Sequence, residues 1–231
     1  MPPTTGGHHR LWCWLPNGGY TAAVGSAMLG PVTADSETGT ASPHGHLASG
    51  PQLVLCAVHA DLAEAWDSAA AGRPEIRVHR GSLLEVDADA VVSPANSFGW
   101  MRGGIDAVYT AAFPTVEQSV RSAVLAYHGG ELPVGEALIV PTDAVRPAWL
   151  ITAPTMREPG VLLPPDTVHP YLAARAVFRL WRDGALDDGT PVREVVRTIA
   201  VPGLGTGVGR VPPAVCARQL AAAWDEVFAG V

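Results

Sequence analysis

The chain of 231 residues has no lysine: all 15 of its basic residues are arginine. That absence excludes a P-loop lysine, a lysine Schiff base and a lysine general base together. Cysteine is scarce. Cys13, Cys56 and Cys216 are far apart and form no C-x-x-C, so neither a disulfide framework nor a thiolate zinc site is expected, and the pattern suits a reducing compartment. Charge is low at 16%, and the formal net charge is −7. A chain with no basic excess is not expected to bind nucleic acid or an anionic membrane nonspecifically. No apolar run reaches membrane-spanning length, and no basic segment leads into an apolar core near the start, which predicts a soluble, cytoplasmic protein. There is no G-x-S-x-G, no H-E-x-x-H and no carboxylate cluster. A serine hydrolase and a metal hydrolase are therefore unsupported, and neither a metal nor an organic cofactor is expected. Asparagine occurs only at Asn17 and Asn96.

Hydrophobic residues make up 48% of the chain, enough for one substantial core. Residues 1–50 are rich in Gly, Pro, Ser, Thr and His and lack periodicity, so they are expected to form a mobile tail. Within it Trp12, Trp14 and Leu15 make a short apolar patch with no evident docking place. The histidines His8, His9, His44 and His46 have no carboxylate or thiol beside them to complete a metal site. Residues 51–231 alternate strand and helix patterns. Strands are expected over Leu53 to Val58, Glu75 to Arg80, Ala90 to Val92, Ala137 to Val140, Trp149 to Ala153 and Thr198 to Val201. The first helix is expected to start with Asp61 as its N-cap. Others follow over Ile105 to Ala112, from Pro114 to about Tyr127, over Val168 to Trp181 and over Pro212 to Phe228. Asp183 to Thr190 reads as a polar linker. This alternation predicts an α/β fold whose mixed, mostly parallel sheet is covered on both faces.

Two stretches carry chemistry. Val91-Val-Ser-Pro-Ala-Asn96 is an apolar strand that ends in an amide, and Gly99, Gly103 and Gly104 follow before Asp106 opens a helix. Such a strand end can wrap a polyhydroxylated ligand at close backbone range. It reads equally well as a plain strand–turn–helix connection with an ordinary first-turn acid, held ionised near neutral pH by the helix dipole. The second stretch is Pro202-Gly-Leu-Gly-Thr-Gly-Val-Gly-Arg210, between a strand and a helix. It can turn several backbone N–H groups toward one point and so hold phosphate without a basic side chain. It is not the dinucleotide G-x-G-x-x-G, because Val208 and Arg210 stand where glycine is needed.

Together these stretches resemble the macrodomain family, whose members bind ADP-ribose. The likeness runs from about Glu75 to Phe228 and includes Gly103-Gly-Ile-Asp106, Leu132-Pro-Val-Gly-Glu136 and Gly205-Thr-Gly-Val-Gly209. It implies a three-layer α/β/α fold. It further implies that Asn96 binds the distal ribose and that Asp106 orients a water or that ribose near the anomeric carbon. Ala95, Gly103, Gly104 and Ile105 would lie against ribose and diphosphate. Gly203, Gly205, Thr206, Gly207, Val208 and Gly209 would cradle the diphosphate, with Arg210 as a further phosphate contact. Gly81-Ser82-Leu83 stands in place of the family's G-D-I, so Ser82 replaces the adenine-binding aspartate and Leu83 follows it. Ser93-Pro94 replaces N-A, and Gly209 replaces an aromatic residue. The resemblance implies binding of ADP-ribose or an ADP-ribosylated molecule. Its activity would be hydrolysis at the distal ribose of an ADP-ribosylated side chain or of O-acetyl-ADP-ribose. The alternative is a noncatalytic ADP-ribose or nucleotide-sugar binding module.

Overall fold

A computed structural model describes residues 12–13 and 50–229 of the chain. The expected tail thus lies almost wholly outside the described residues. Its one described piece is β1, Trp12–Cys13. The other strands are β2 (Gln52–Ala57), β3 (Ile76–Arg80), β4 (Ala90–Ser93), β5 (Leu138–Pro141), β6 (Trp149–Thr152) and β7 (Thr198–Val201). The helices are α1 (Ala60–Ala70), α2 (Gly104–Ala112), α3 (Val116–His128), α4 (His169–Asp183), α5 (Val192–Val195) and α6 (Pro213–Trp224). The strands form one sheet in the order β1-β5-β6-β4-β7-β2-β3. β2, β3, β4, β6 and β7 pair in parallel, while β5 is antiparallel to both β6 and β1.

Strand alternation divides the core into two layers. In β2, Leu53, Leu55 and Ala57 face a cluster that also holds Trp66 of α1, Phe178 of α4 and Leu220 of α6. Val54 and Cys56 face the opposite cluster with Tyr109 of α2 and Val120 of α3. The same split holds in β7, where Ile199 and Val201 face one side and Ala200 the other. Period-two alternation in strands buried on both faces yields this arrangement, and the fold is a three-layer α/β/α sandwich. Trp66 is fully buried and donates its indole N–H to the Cys56 carbonyl at 3.3 Å, which fixes α1 against β2.

Several expected boundaries shift. His59, not Asp61, is the N-cap of α1, and Asp61 lies in the first turn, where its carboxylate accepts from the Leu62 N–H. Pro114 precedes α3 rather than sitting in its first turn, because Thr115 caps that helix. The polar stretch after α4 leads into the short helix α5, which has too few residues to show a period. The last helix gives way at Asp225–Ala229 to a π turn, which brings Phe228 within 4.6 Å of the Trp224 ring. No helix among the described residues is long and apolar enough to cross a membrane.

Candidate functional site

A cleft of about 900 Å³ opens at the carboxyl ends of β2, β3, β4 and β7, where ligands sit in open parallel sheets. It is walled by the segments that leave those strands and by Thr155 to Gly160 beyond β6. Of the residues expected in the site, Ser82, Leu83, Ala95, Asn96, Gly103, Gly104, Ile105, Asp106, Gly203, Gly205, Thr206, Gly207 and Val208 line this single cleft. Gly209 and Arg210 do not. A Cβ on Gly209 would lie 2.7 Å from the Gly205 carbonyl and 2.9 Å from Leu163 Cδ1, so this residue packs beneath the loop. Arg210 is turned away at φ 54°, its N–H donating to the Gly207 carbonyl.

The glycine-rich loop is asymmetric in its hydrogen bonding. The carbonyls of Gly205, Gly207 and Gly209 accept from Val211, Arg210 and Leu163. The N–H groups of residues 205–209 have no partner among the described residues. Gly205 is buried and Thr206 half-buried, while Gly207 and Val208 are exposed, so the outer donors are open to solvent and to a ligand. Consecutive N–H groups of this kind can form an anion-binding nest. Gly205 must be glycine, since it sits at φ +71° with Leu163 and Val211 within 3.2 Å of any Cβ. Gly207 is different. Its Cβ position is open, so hydrogen there leaves the backbone accessible to a ligand.

The second wall is the start of α2. Its N-cap, Gly103, has no side chain to satisfy the first-turn donors, and a Cβ on Gly103 or Gly104 would meet open space. An uncapped helix start beside an N–H nest gives the cleft positive potential, although Arg102 is the one arginine on its walls.

Asp106 is the one acid that lines the cleft, and it is 7% exposed. Ser93, fully buried at the end of β4, donates its hydroxyl to Asp106 Oδ1 at 2.6 Å. Oδ2 has no hydrogen-bond partner among the described residues. Burial pushes the carboxyl up to about 6, the Ser93 bond pulls it back, and Glu117 on α3 adds a smaller push upward. Desolvation, not the helix dipole, thus sets the direction of the shift, and a carboxyl pushed up to about 6 is still mostly ionised at neutral pH.

Asn96 lines the cleft and is also engaged by its own loop. Its Oδ1 accepts from the N–H of Phe98 at 3.1 Å and of Trp100 at 3.3 Å, and its Nδ2 donates to the Trp100 carbonyl at 2.7 Å. The amide therefore holds its own loop and leaves one N–H bond for a ligand. Ser82 is likewise engaged. It caps the short turn Leu83–Glu85 by accepting from Leu84, while Glu85 accepts from the Ser82 N–H. Beyond β6, Thr155, Met156, Pro159 and Gly160 line the cleft, but Arg157 is held by Glu131 at 2.6 Å and Glu158 at 2.9 Å. His169 reaches only the Thr155 carbonyl, at 2.7 Å from Nδ1. Tyr171 donates to Glu226. His59, Leu62, Trp100 and Arg102 line the cleft without having been expected there. For His59 the signal was available, since it directly follows the carboxyl end of a parallel strand.

A sequence model of the macro domain matches residues 92–220. The chain belongs to the macro domain family. Among relatives of this macro domain, an uncharacterised protein of Aquifex aeolicus is 36% identical over 146 residues, which cover 63% of this chain and 78% of the relative. The fold is similar to that of the Oceanobacillus iheyensis macrodomain solved with ADP, with a TM-score of 0.52 and 19% identity over 65% of this chain and 75% of that one. It is also similar to Thermosipho africanus DarTG solved in complex with ADP-ribose, with a TM-score of 0.51 and 15% identity over 64% of this chain and 38% of that one.

Proposed function

We propose that this macro domain binds ADP-ribose and hydrolyses the bond that joins the distal ribose to a carrier, either a modified side chain or an O-acetyl group. The observation that carries the binding is the row of unpaired N–H groups at residues 205–208, which line the same cleft as the uncapped start of α2. Both can hold a diphosphate without lysine. Membership of a family with relatives solved with ADP and with ADP-ribose supports the same ligand.

For hydrolysis, Asp106 is the group in position. Ser93 fixes its Oδ1, and its Oδ2 is left for a hydrogen bond from water or from a ribose hydroxyl. For a modified side chain the water oxygen adds to the anomeric carbon, and the bond from that carbon to the carrier breaks. For an O-acetyl group it adds to the acyl carbon and the acyl C–O bond breaks, giving acetate and the ribose hydroxyl. In both the water proton passes to the departing oxygen or nitrogen or to the carboxylate. A carboxyl near 6 can hold or return such a proton at neutral pH. The rest of the rate would come from holding ribose, water and diphosphate in register.

One observation favours a noncatalytic reader instead: the Asn96 amide is occupied by its own loop. Two measurements separate the readings. Titration calorimetry with ADP-ribose tests the ligand, and its failure ends both. Release of labelled ADP-ribose from a mono-ADP-ribosylated protein, or of acetate from O-acetyl-ADP-ribose, tests the reaction. Binding without release on either substrate identifies the reader.

A further inference from the structure

A second depression, of about 500 Å³, lies across α2 and α3 and is lined by Thr110, Pro114, Glu117, Gln118, Arg121 and Leu125. It shares a wall with the cleft. The Arg121 guanidinium lies 3.7 Å from the centroid of the Trp100 ring, and Trp100 lines the cleft. Arg102, also on the cleft, lies 4.5 Å from the same ring and 3.7 Å from Glu117. The loop geometry explains this closeness. Gly99 stands at φ +70°, and a Cβ there would come within 2.8 Å of Val120 and 3.3 Å of Arg121 Cγ. Only glycine lets the chain lie flat on α3, and Asn96 then grips both the N–H and the carbonyl of Trp100. The indole is thus held between the two hollows, with the guanidiniums of Arg102 and Arg121 both close to its ring.

Arg121 makes no ion pair or hydrogen bond to any described residue, its one contact being the Trp100 ring. An unpaired guanidinium in a chain of net charge −7 leaves a local site for an anion. Its position gives that site a use. The groove begins where Trp100 and Arg102 wall the cleft, so a carrier on a ribose bound beside Asp106 would have it within reach.

We propose that the groove between α2 and α3 docks an acidic peptide segment of the carrier, with a carboxylate on Arg121 and an aliphatic side chain on exposed Leu125. The proposal rests on the reading of the cleft as an ADP-ribose site. A nucleic-acid carrier fits less well, because a polyphosphate backbone needs several cations and Arg121 is the one cation among the groove's lining residues.

The test compares four ligands on the intact protein by calorimetry. They are free ADP-ribose, ADP-ribose joined through a non-hydrolysable linkage to a glutamate-flanked peptide, the same conjugate with glutamines, and an ADP-ribosylated oligonucleotide. The glutamate conjugate is expected to bind about tenfold more tightly than free ADP-ribose, as one charge-assisted contact would give. Arg121→Gln should erase that advantage and leave free ADP-ribose affinity unchanged, since Arg121 is not among the residues lining the cleft. Equal affinity of wild type for free ADP-ribose and the glutamate conjugate overturns the docking surface while the cleft reading stands. Preference for the oligonucleotide overturns it as well. No binding of free ADP-ribose overturns the cleft reading and this inference together.

Discussion

The Ser93 hydroxyl donates to Asp106 Oδ1 at 2.6 Å across the junction of β4 and α2, and both side chains are withdrawn from bulk solvent. The bond does two jobs. It offsets part of the burial cost of the carboxylate, and it occupies one oxygen while leaving the other without a partner among the described residues.

Because Asp106 is raised by burial from 3.8 to about 6, its sign of linkage is unfavourable. The unfolded chain loses this proton first as pH rises, so folding stability falls between about pH 4 and pH 6 and levels off above that. Asp106→Asn removes the penalty. The variant should gain on wild type across that window, by up to roughly 3 kcal/mol at neutral pH. If the protein is a hydrolase, the same variant should lose on the order of 10²-fold in turnover. Urea melts at pH 4 and 7.5 read the first effect, and label release reads the second.

Ser93→Ala should move the Asp106 carboxyl further upward, since it deletes the one bond that lowers it. The carbon-13 titration of that carboxyl should shift to higher pH, and the acid limb of any pH–rate profile should move with it. An unmoved titration would mean that the hydroxyl merely fills space.

Gly207→Val and Gly205→Val should separate function from fold. At residue 207 the added side chain points into open space, so the protein should fold normally while ADP-ribose affinity falls at least about tenfold through lost N–H access. At residue 205 the backbone conformation and the crowding against Leu163 and Val211 should cost stability directly, read as a lower melting temperature.

Deleting residues 1–49 should leave ADP-ribose affinity unchanged, because no described residue before Cys56 lines the cleft. It removes β1 from β5 and so bares a row of unpaired backbone groups beside Leu138 and Ile139. Calorimetry should show the unchanged affinity, and light scattering should show increased self-association.

The order of strands and helices was legible because buried parallel strands read as short apolar runs between turn signals. The cleft was legible because its walls are backbone, and glycine is the residue that exposes backbone. What stayed hidden was side-chain allegiance. Asn96, Ser82 and Arg157 are each the right type to meet a ligand, yet each bonds to neighbours within a few residues or across one loop. A linear pattern does not distinguish a polar group aimed at a ligand from one spent on a local turn. Trp100 and Arg121 were missed for the opposite reason: their contact depends on a left-handed glycine that sets the loop onto a helix.

β7 is the last described strand in the chain, yet it lies between β4 and β2 in the middle of the sheet. During synthesis the earlier strands can pair only as two separate ribbons, β2 with β3 and β4 with β6 and β5. The glycine-rich loop of the cleft follows β7 directly, so the strand that joins the ribbons also delivers that loop. Ligand binding is thus an all-or-none report on late insertion of one strand, and a ribosome-bound chain stalled before residue 198 should neither bind ADP-ribose nor protect its sheet from protease.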